Sequence, residues 1–152
     1  MIREYESPAG TMLIAAKDGF ITGLDFKDTC KVVRPFDSKS EDAIETCVRE
    51  LDAYFAGNLR EFTIKTHAPG TEFRKLCWAQ LQKIPYGETI SYKELARRIG
   101  NPAAIRAVGG ANHNNPVSII IPCHRVIGAN GSLTGYGGGL ERKKFLLELE
   151  QR

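Results

Sequence analysis

The stretch SYKELARRIGNPAAIRAVGGA, Ser91 to Ala111, decides how this chain is organised. Ser91 with Glu94 three residues on is a capping box that predicts a helix start, and Gly100 supplies its stop. Asn101 then precedes Pro102, a good first helical residue, so a second short helix is predicted from Pro102 to Ala111. Two short helices about a Gly-Asn-Pro turn make a helix-turn-helix. The second helix is poor in long polar side chains: Ala103, Ala104, Ala107, Gly109, Gly110 and Ala111 leave Arg106 almost alone. A major-groove reader carries several hydrogen-bonding side chains on its recognition helix, which this one does not. Its small residues fit two arrangements, a nucleic acid approaching the helix backbone closely with Arg106 as a single prong, or tight packing between helices.

Downstream, an Asn-rich loop leads into Val117-Ser118-Ile119-Ile120-Ile121, a β-branched run that predicts a buried strand. Pro122 cannot donate to a sheet ladder, so Cys123 is expected at a strand end, outside regular pairing. The Gly-rich segment GANGSLTGYGGGL and a last helix from about Glu141 through Glu150 follow. Upstream, Phe73, Leu76, Cys77, Leu81 and Ile84 recur near one face and predict a helix over 71–83.

The first sixty-odd residues read as a small α+β unit. Gly10 to Phe26 is two strand-like runs joined at Lys17-Asp18-Gly19, a strong hairpin signal. Ile44, Cys47, Val48, Leu51, Tyr54 and Phe55 lie on one helical face, with Ser38 and Glu41 as a capping box and Gly57 as the stop. REFTIK, Arg60 to Lys65, predicts a returning strand. Domains are therefore expected at 1–66, structural, and 67–152.

The chain has 152 residues, 42% hydrophobic and 26% charged, a globular composition. No window approaches the roughly 18 apolar residues of a membrane span, and the N-terminus lacks a secretory pattern, so a cytoplasmic location without membrane association is expected. Net charge is +3, but residues 86–152 carry nine basic and five acidic side chains, so positive charge gathers in the half holding Cys123. Four cysteines without a secretory signal predict free thiols. Cys30 and Cys47 show no CxxC or HxxxH spacing, and His67 and His113 are lone histidines, so no metal and no cofactor are expected.

A cysteine with a pKa near 8.5 is only about 3% thiolate at pH 7, so nucleophilic use of Cys123 requires a nearby base or cation. His124 and Arg125 are the obvious supplies. Neighbours in a strand point to opposite faces, so Cys123 and His124 communicate only if the chain turns after Pro122 or a water bridges them.

Residues Pro85 to Glu150, with the Pro-Cys-His-Arg core and the upstream NPAAIRAVGG helix, closely resemble the O6-alkylguanine-DNA alkyltransferase family. SPAGTMLIAAKDGFITGL is similar to that family's N-terminal domain. The resemblance implies an α+β fold: a small ribonuclease H-like domain followed by a helical, winged-helix-like DNA-binding domain with the helix-turn-helix. It implies repair of double-stranded DNA containing alkylated guanine or thymine by a monomer consumed in one event. Cys123 matches the alkyl acceptor, His124 the residue that takes the thiol proton through a water, and Glu150 the carboxylate orienting it. Asn115 matches a hinge before the active site. Tyr92 matches a tyrosine that helps rotate the phosphate and donates to guanine N3, and Arg106 the finger that fills the gap left by a flipped nucleotide. Ala103, Ala104 and Gly109 would meet the minor groove, with Arg125 as a further DNA contact. Val126, Tyr136, Gly137 and Gly138 correspond to the base pocket, where the carbonyls of Cys123 and Val126 accept from the exocyclic amine. The chain departs from some relatives at Gly137, where a serine is found, at Ser118, where a proline is found, and at Ile105, where an alanine is found.

Other classes fit less well. A lesion-binding relative without transfer activity commonly carries tryptophan at the acceptor position, where this chain has Cys123. A regulator using the helix-turn-helix alone would need an effector domain. GYGGG lacks the Lys-Ser/Thr of a phosphate loop, and a thiol hydrolase would turn over repeatedly.

Overall fold

Asp18 and Gly19 adopt left-handed backbone angles, φ 52° and 82°, the conformation a tight two-residue hairpin turn demands. In the computed structural model, which describes residues 3–30, 40–133 and 135–152, this turn joins β2 (Gly10–Lys17) to β3 (Phe20–Phe26). A further strand, β1 (Arg3–Ser7), pairs antiparallel with β2 and completes a sheet of order β1-β2-β3. The alternation of REYES is too short and too polar to announce it. α1 (Glu41–Phe55) covers the sheet, burying Ile44, Cys47, Leu51 and Tyr54 against Met12, Ile14, Ile21, Leu24 and Phe26. Each such large apolar side chain contributes about 1.5–3 kcal/mol on burial. Ser38 lies outside the described residues. The α1 cap residue is Ser40, whose Oγ accepts from the Gly19 amide and so ties the helix start to the hairpin turn. Gly57 (φ 80°) ends the helix, as its position predicts.

Arg60–Lys65 is not a strand. The Glu50 carboxylate accepts from the amides of Thr63 (3.1 and 2.9 Å) and Ile64 (2.8 Å), taking donors that a sheet ladder would use. Only a bridge at Thr66 reaches β3, through Ile21. A second bridge comes from far along the chain, where Val117 pairs with Leu24. The first compact unit is thus residues 1–69 together with Pro116–Ser118 and the terminal Arg152; the second is 70–115 with 119–151.

In the second unit Thr71 caps α2 (Glu72–Leu81) by accepting from Arg74. Cys77, Trp78 and Leu81 are buried, whereas Leu76, expected on the inner face, is exposed. Trp78 takes the inner position instead and donates from Nε1 to the carbonyl of Ala111 (2.8 Å). Ser91 caps α3 (Tyr92–Arg98), accepting from Glu94. The Glu94 side chain turns to Arg97 and Arg98, which hold its carboxyl down at about 2. α4 runs from Ile105 to His113, three residues later than Pro102 suggests, because Pro102 and Ala103 form a turn closed by the Ala104 amide on Asn101. α5 (Leu140–Leu149) ends the unit, and β4 (Ile90–Ser91) pairs parallel with β5 (Val126–Ile127).

The run 117–121 is buried, as its apolar residues require, but it is not a strand. Ile119 has φ 72°, left-handed backbone that a β-branched residue adopts only at a cost of roughly 1–3 kcal/mol. The chain turns there, and Cys123 enters a 3-10 turn, Cys123–Arg125, instead of a strand end. No helix among the described residues is long and apolar enough to cross a membrane, and all four cysteines are free thiols.

Candidate active site

Three successive residues, Cys123, His124 and Arg125, are turned inward together by the 3-10 turn and are 3%, 0% and 6% exposed. The turn solves the strand problem, since consecutive side chains of a helical turn no longer face opposite ways. Pro122, as the residue entering the turn, accepts from the Arg125 amide. Asn115 holds the approach, donating from Nδ2 to the Ile121 carbonyl (2.7 Å). Asn112, the penultimate residue of α4, donates from Nδ2 to the Cys123 carbonyl (3.1 Å).

Glu150, immediately after α5, closes the cluster from the other side. It is 4% exposed and ordered by several contacts, with the Gly87 amide donating to its Oε1 (3.3 Å). Its Oε2 lies 2.6 Å from His124 Nε2, and Arg125 donates from Nε to Oε1 (2.8 Å) and from a terminal nitrogen to Oε2 (3.0 Å). Burial alone would raise this carboxyl, but the His124 and Arg125 bonds prevail and hold it well below the usual carboxylate range. Burial pushes His124 below its ordinary value despite the opposing pull of Glu150. A neutral imidazole beside a carboxylate must carry its proton on Nε2, because the carboxylate only accepts. Nδ1 is then a bare acceptor, and it is buried without a hydrogen-bond partner among the described residues.

Arg125 is therefore not placed to reach a phosphate. Its remaining terminal nitrogen donates to the Ile84 carbonyl (2.7 Å) and the guanidinium lies over the Tyr86 ring. The sequence offered no way to tell an exposed arginine from one whose partner is 25 residues away.

Lys143 on α5 is the residue that sequence reasoning missed. It is fully buried, donates from Nζ to the Val126 carbonyl (2.5 Å) and lies 5.8 Å from the Tyr92 ring. Burial pushes its ammonium down to about 8, with the charge of Cys123 pulling the other way. A lysine on an apparently solvated stretch, ERKK, gives no sign of this; its three-residue offset from buried Leu146 on the same helical face is the one available clue. Replacing Lys143 by methionine removes a cation that favours the thiolate. The pH profile of iodoacetamide labelling at Cys123 is expected to move upward.

Around this core, Val126 is buried on β5, Tyr136 and Gly138 are buried and Gly137 is exposed. Tyr92 opens α3 with its hydroxyl 3.5 Å from the Gly135 carbonyl. Arg106 and Ala103 are exposed, and Ala104 and Gly109 are half-buried. A Cβ at Gly109 or Gly110 would meet nothing within 4 Å, so packing within the chain does not demand small residues there. Ala111 of the same set, in contrast, is buried, with its carbonyl bonded to Trp78. Burial pushes Cys47 up to about 12 and raises Cys77 as well, so neither is a competing nucleophile.

Residues 72–152 match the 6-O-methylguanine DNA methyltransferase DNA-binding domain, and residues 2–68 match the ribonuclease-like domain of the same family. A methylated-DNA--protein-cysteine methyltransferase of Methanosarcina acetivorans is 50% identical over 148 residues, covering 96% of this chain and 95% of that protein. One from Mycolicibacterium paratuberculosis is 50% identical over 151 residues, covering 99% and 92%. The crystal structure of Mycobacterium tuberculosis OGT in complex with DNA superposes with a TM-score of 0.90 at 47% identity, covering 99% of this chain and 92% of that one.

Proposed function

The chain belongs to the 6-O-methylguanine DNA methyltransferase family, and on that premise we propose that Cys123 accepts the alkyl group, His124 takes its proton and Glu150 orients His124. The protein repairs DNA by transferring an alkyl group to its own cysteine. The observation that carries the assignment to these three residues is the buried 2.6 Å contact between His124 Nε2 and Glu150. With Nε2 committed to Glu150 at 2.6 Å, Nδ1 is a buried base that meets no donor among the described residues. A water between the thiol and Nδ1 gives the proton a path.

In this reading the sulfur of Cys123 attacks the alkyl carbon as the carbon–O6 bond breaks, and the electron pair of that bond stays with guanine. The product is a thioether, which water does not displace, so each molecule acts once. Charge gathering on the departing base is met by the Tyr92 hydroxyl, which donates a proton to N3. The pocket is walled by Val126, Tyr136, Gly137 and Gly138. The substrates are O6-methylguanine and O4-methylthymine in duplex DNA.

The reactive carbon lies in the base stack, so the nucleotide is flipped out before transfer. α4 enters the minor groove, with the open surface at Gly109 and Gly110 supporting close backbone approach. Arg106 fills the gap and Asn115 keeps the loop from α4 to Cys123 in place. The protein works as a monomer in the reducing cytoplasm, where its cysteines remain thiols. For Arg106→Ala, repair of a duplex lesion is expected to slow about tenfold, while reaction with the free modified base is unchanged. Equal rates on duplex DNA would remove Arg106 from this role.

The direct test is mass spectrometry after mixing the protein with duplex DNA containing O6-methylguanine. The expected result is a single methyl on the Cys123 peptide, never exceeding one per protein. A methyl on any other residue, or repeated turnover, would overturn the assignment.

A further inference from the structure

Asn112 sits in the last turn of α4, 2% exposed, with its side chain at the alkyl-acceptor turn. Its amide orientation is settled by chemistry. The Cys123 carbonyl can only accept, so the atom 3.1 Å from it is the Nδ2 amino group. Oδ1 must then point away from that carbonyl, and it is buried without a hydrogen-bond partner among the described residues. His124 Nδ1 is buried in the same condition one residue along the turn. One acceptor thus belongs to the side chain bonded to the Cys123 carbonyl and the other to the next residue of the turn, and each costs stability unless a donor meets it. A thiol has one proton to give and cannot serve both. A water has two, and a buried water is held by about three partners.

We propose that Asn112 is a positioning residue for the transfer, its Nδ2 fixing the Cys123 carbonyl and its Oδ1 holding the water that links the Cys123 thiol to His124. This rests on the reading of Cys123 as acceptor and His124 as base. The water accepts from the thiol and donates to both Nδ1 and Oδ1. When the thiol proton moves to the water oxygen, the water proton on the Nδ1 side passes to the imidazole and the water is regenerated. The bond to Oδ1 is unbroken throughout, which keeps the water oriented. Asn112 also makes α4 part of the reaction: the helix proposed to lie on DNA is bonded through this side chain to the backbone of the acceptor. Asn115, three residues on, holds Ile121 in the same manner, so one amide grips the chain on either side of Pro122.

The test uses the full chain. Wild-type protein is first checked for methyl transfer to Cys123 from duplex DNA carrying O6-methylguanine; absence of transfer there defeats the underlying reading. Given transfer, Asn112→Ala is expected to slow it at least about tenfold and to move the pH profile of iodoacetamide labelling at Cys123 upward. A purely structural role would lower the thermal midpoint without moving that profile. Unchanged transfer and an unmoved profile in a folded variant overturn the proposal while leaving the acceptor assignment intact. Should the variant not fold, wild-type protein still decides: the Asn112 side-chain amide resonances in a ¹⁵N spectrum should follow the Cys123 thiol titration and shift again on methylation. Resonances that ignore both changes overturn the proposal.

Discussion

Cys123→Ser is expected to take methyl transfer from complete to none while leaving lesion binding nearly intact. Serine keeps the shape and the place in the 3-10 turn, so the buried cluster around it has no reason to rearrange. What it loses is acidity and polarisability: a hydroxyl does not ionise near neutral pH, and a histidine held neutral by burial is too weak a base to ionise it. Binding, in the proposed reading, draws on phosphate contacts and the shape of the base pocket, which serine leaves in place. Mass spectrometry reads the transfer, and a gel-shift titration with a lesion duplex reads the binding. Loss of both together would mean that Cys123 holds the fold and that the acceptor lies elsewhere.

The second large effect is on stability. Glu150→Ala is expected to cost about 3–5 kcal/mol, because it strips the bidentate partner from a guanidinium that is 6% exposed. For a chain of this size that lowers the thermal midpoint by on the order of 10 °C. Arg125 keeps only the Ile84 carbonyl and the Tyr86 ring, neither of which carries a full negative charge. His124 meanwhile loses the group that fixes its tautomer, so transfer should fall as well. Acid probes the same cluster without mutation. Glu150 and His124 both have folded pKa values below their unfolded ones, so the folded state binds fewer protons and stability rises with pH. The stability they contribute is complete above about pH 6.5, the unfolded value for histidine. It declines below that as the unfolded chain protonates its histidine, and further below about pH 4.5 as unfolded Glu150 does so. Denaturant melts of wild type and Glu150→Gln between pH 7 and pH 4 check this. The wild type should lose more stability below about pH 4.5, and parallel curves there would remove Glu150 as a source of the acid sensitivity and leave it to His124.

Much of this arrangement was legible in the chain because it depends on local signals. Asp18-Gly19 demands a turn, Ser91 caps whatever helix follows it, and a stripe such as Ile44, Cys47, Leu51 can only face a core. The failures have a common cause in partners distant along the chain. Arg60–Lys65 reads as a strand until Glu50 takes its amides. Ile119 to Ile121 has strand propensity throughout, yet burial at a turn overrides it and places a β-branched residue in left-handed backbone. Arg125 and Lys143 look like solvent-facing cations, and only the fold reveals that Glu150 and the Val126 carbonyl wait for them. Cys123 and His124 stand out by adjacency, but Glu150 joined them only through family resemblance, since no periodicity links a cysteine to a carboxylate 27 positions on.

The outer edge of β3 carries a further consequence. Two short segments close it, one near Thr66 and one at Val117, and the second is 93 residues away from its partner Leu24. An amino-terminal fragment cut at Pro69 would therefore emerge from synthesis with part of a strand edge bare, a template for pairing with another copy. Closing that edge means waiting for the distant segment, a long loop with its own entropic cost. The first unit is not a portable module: its last staple is encoded between α4 and Cys123, inside the sequence of the other.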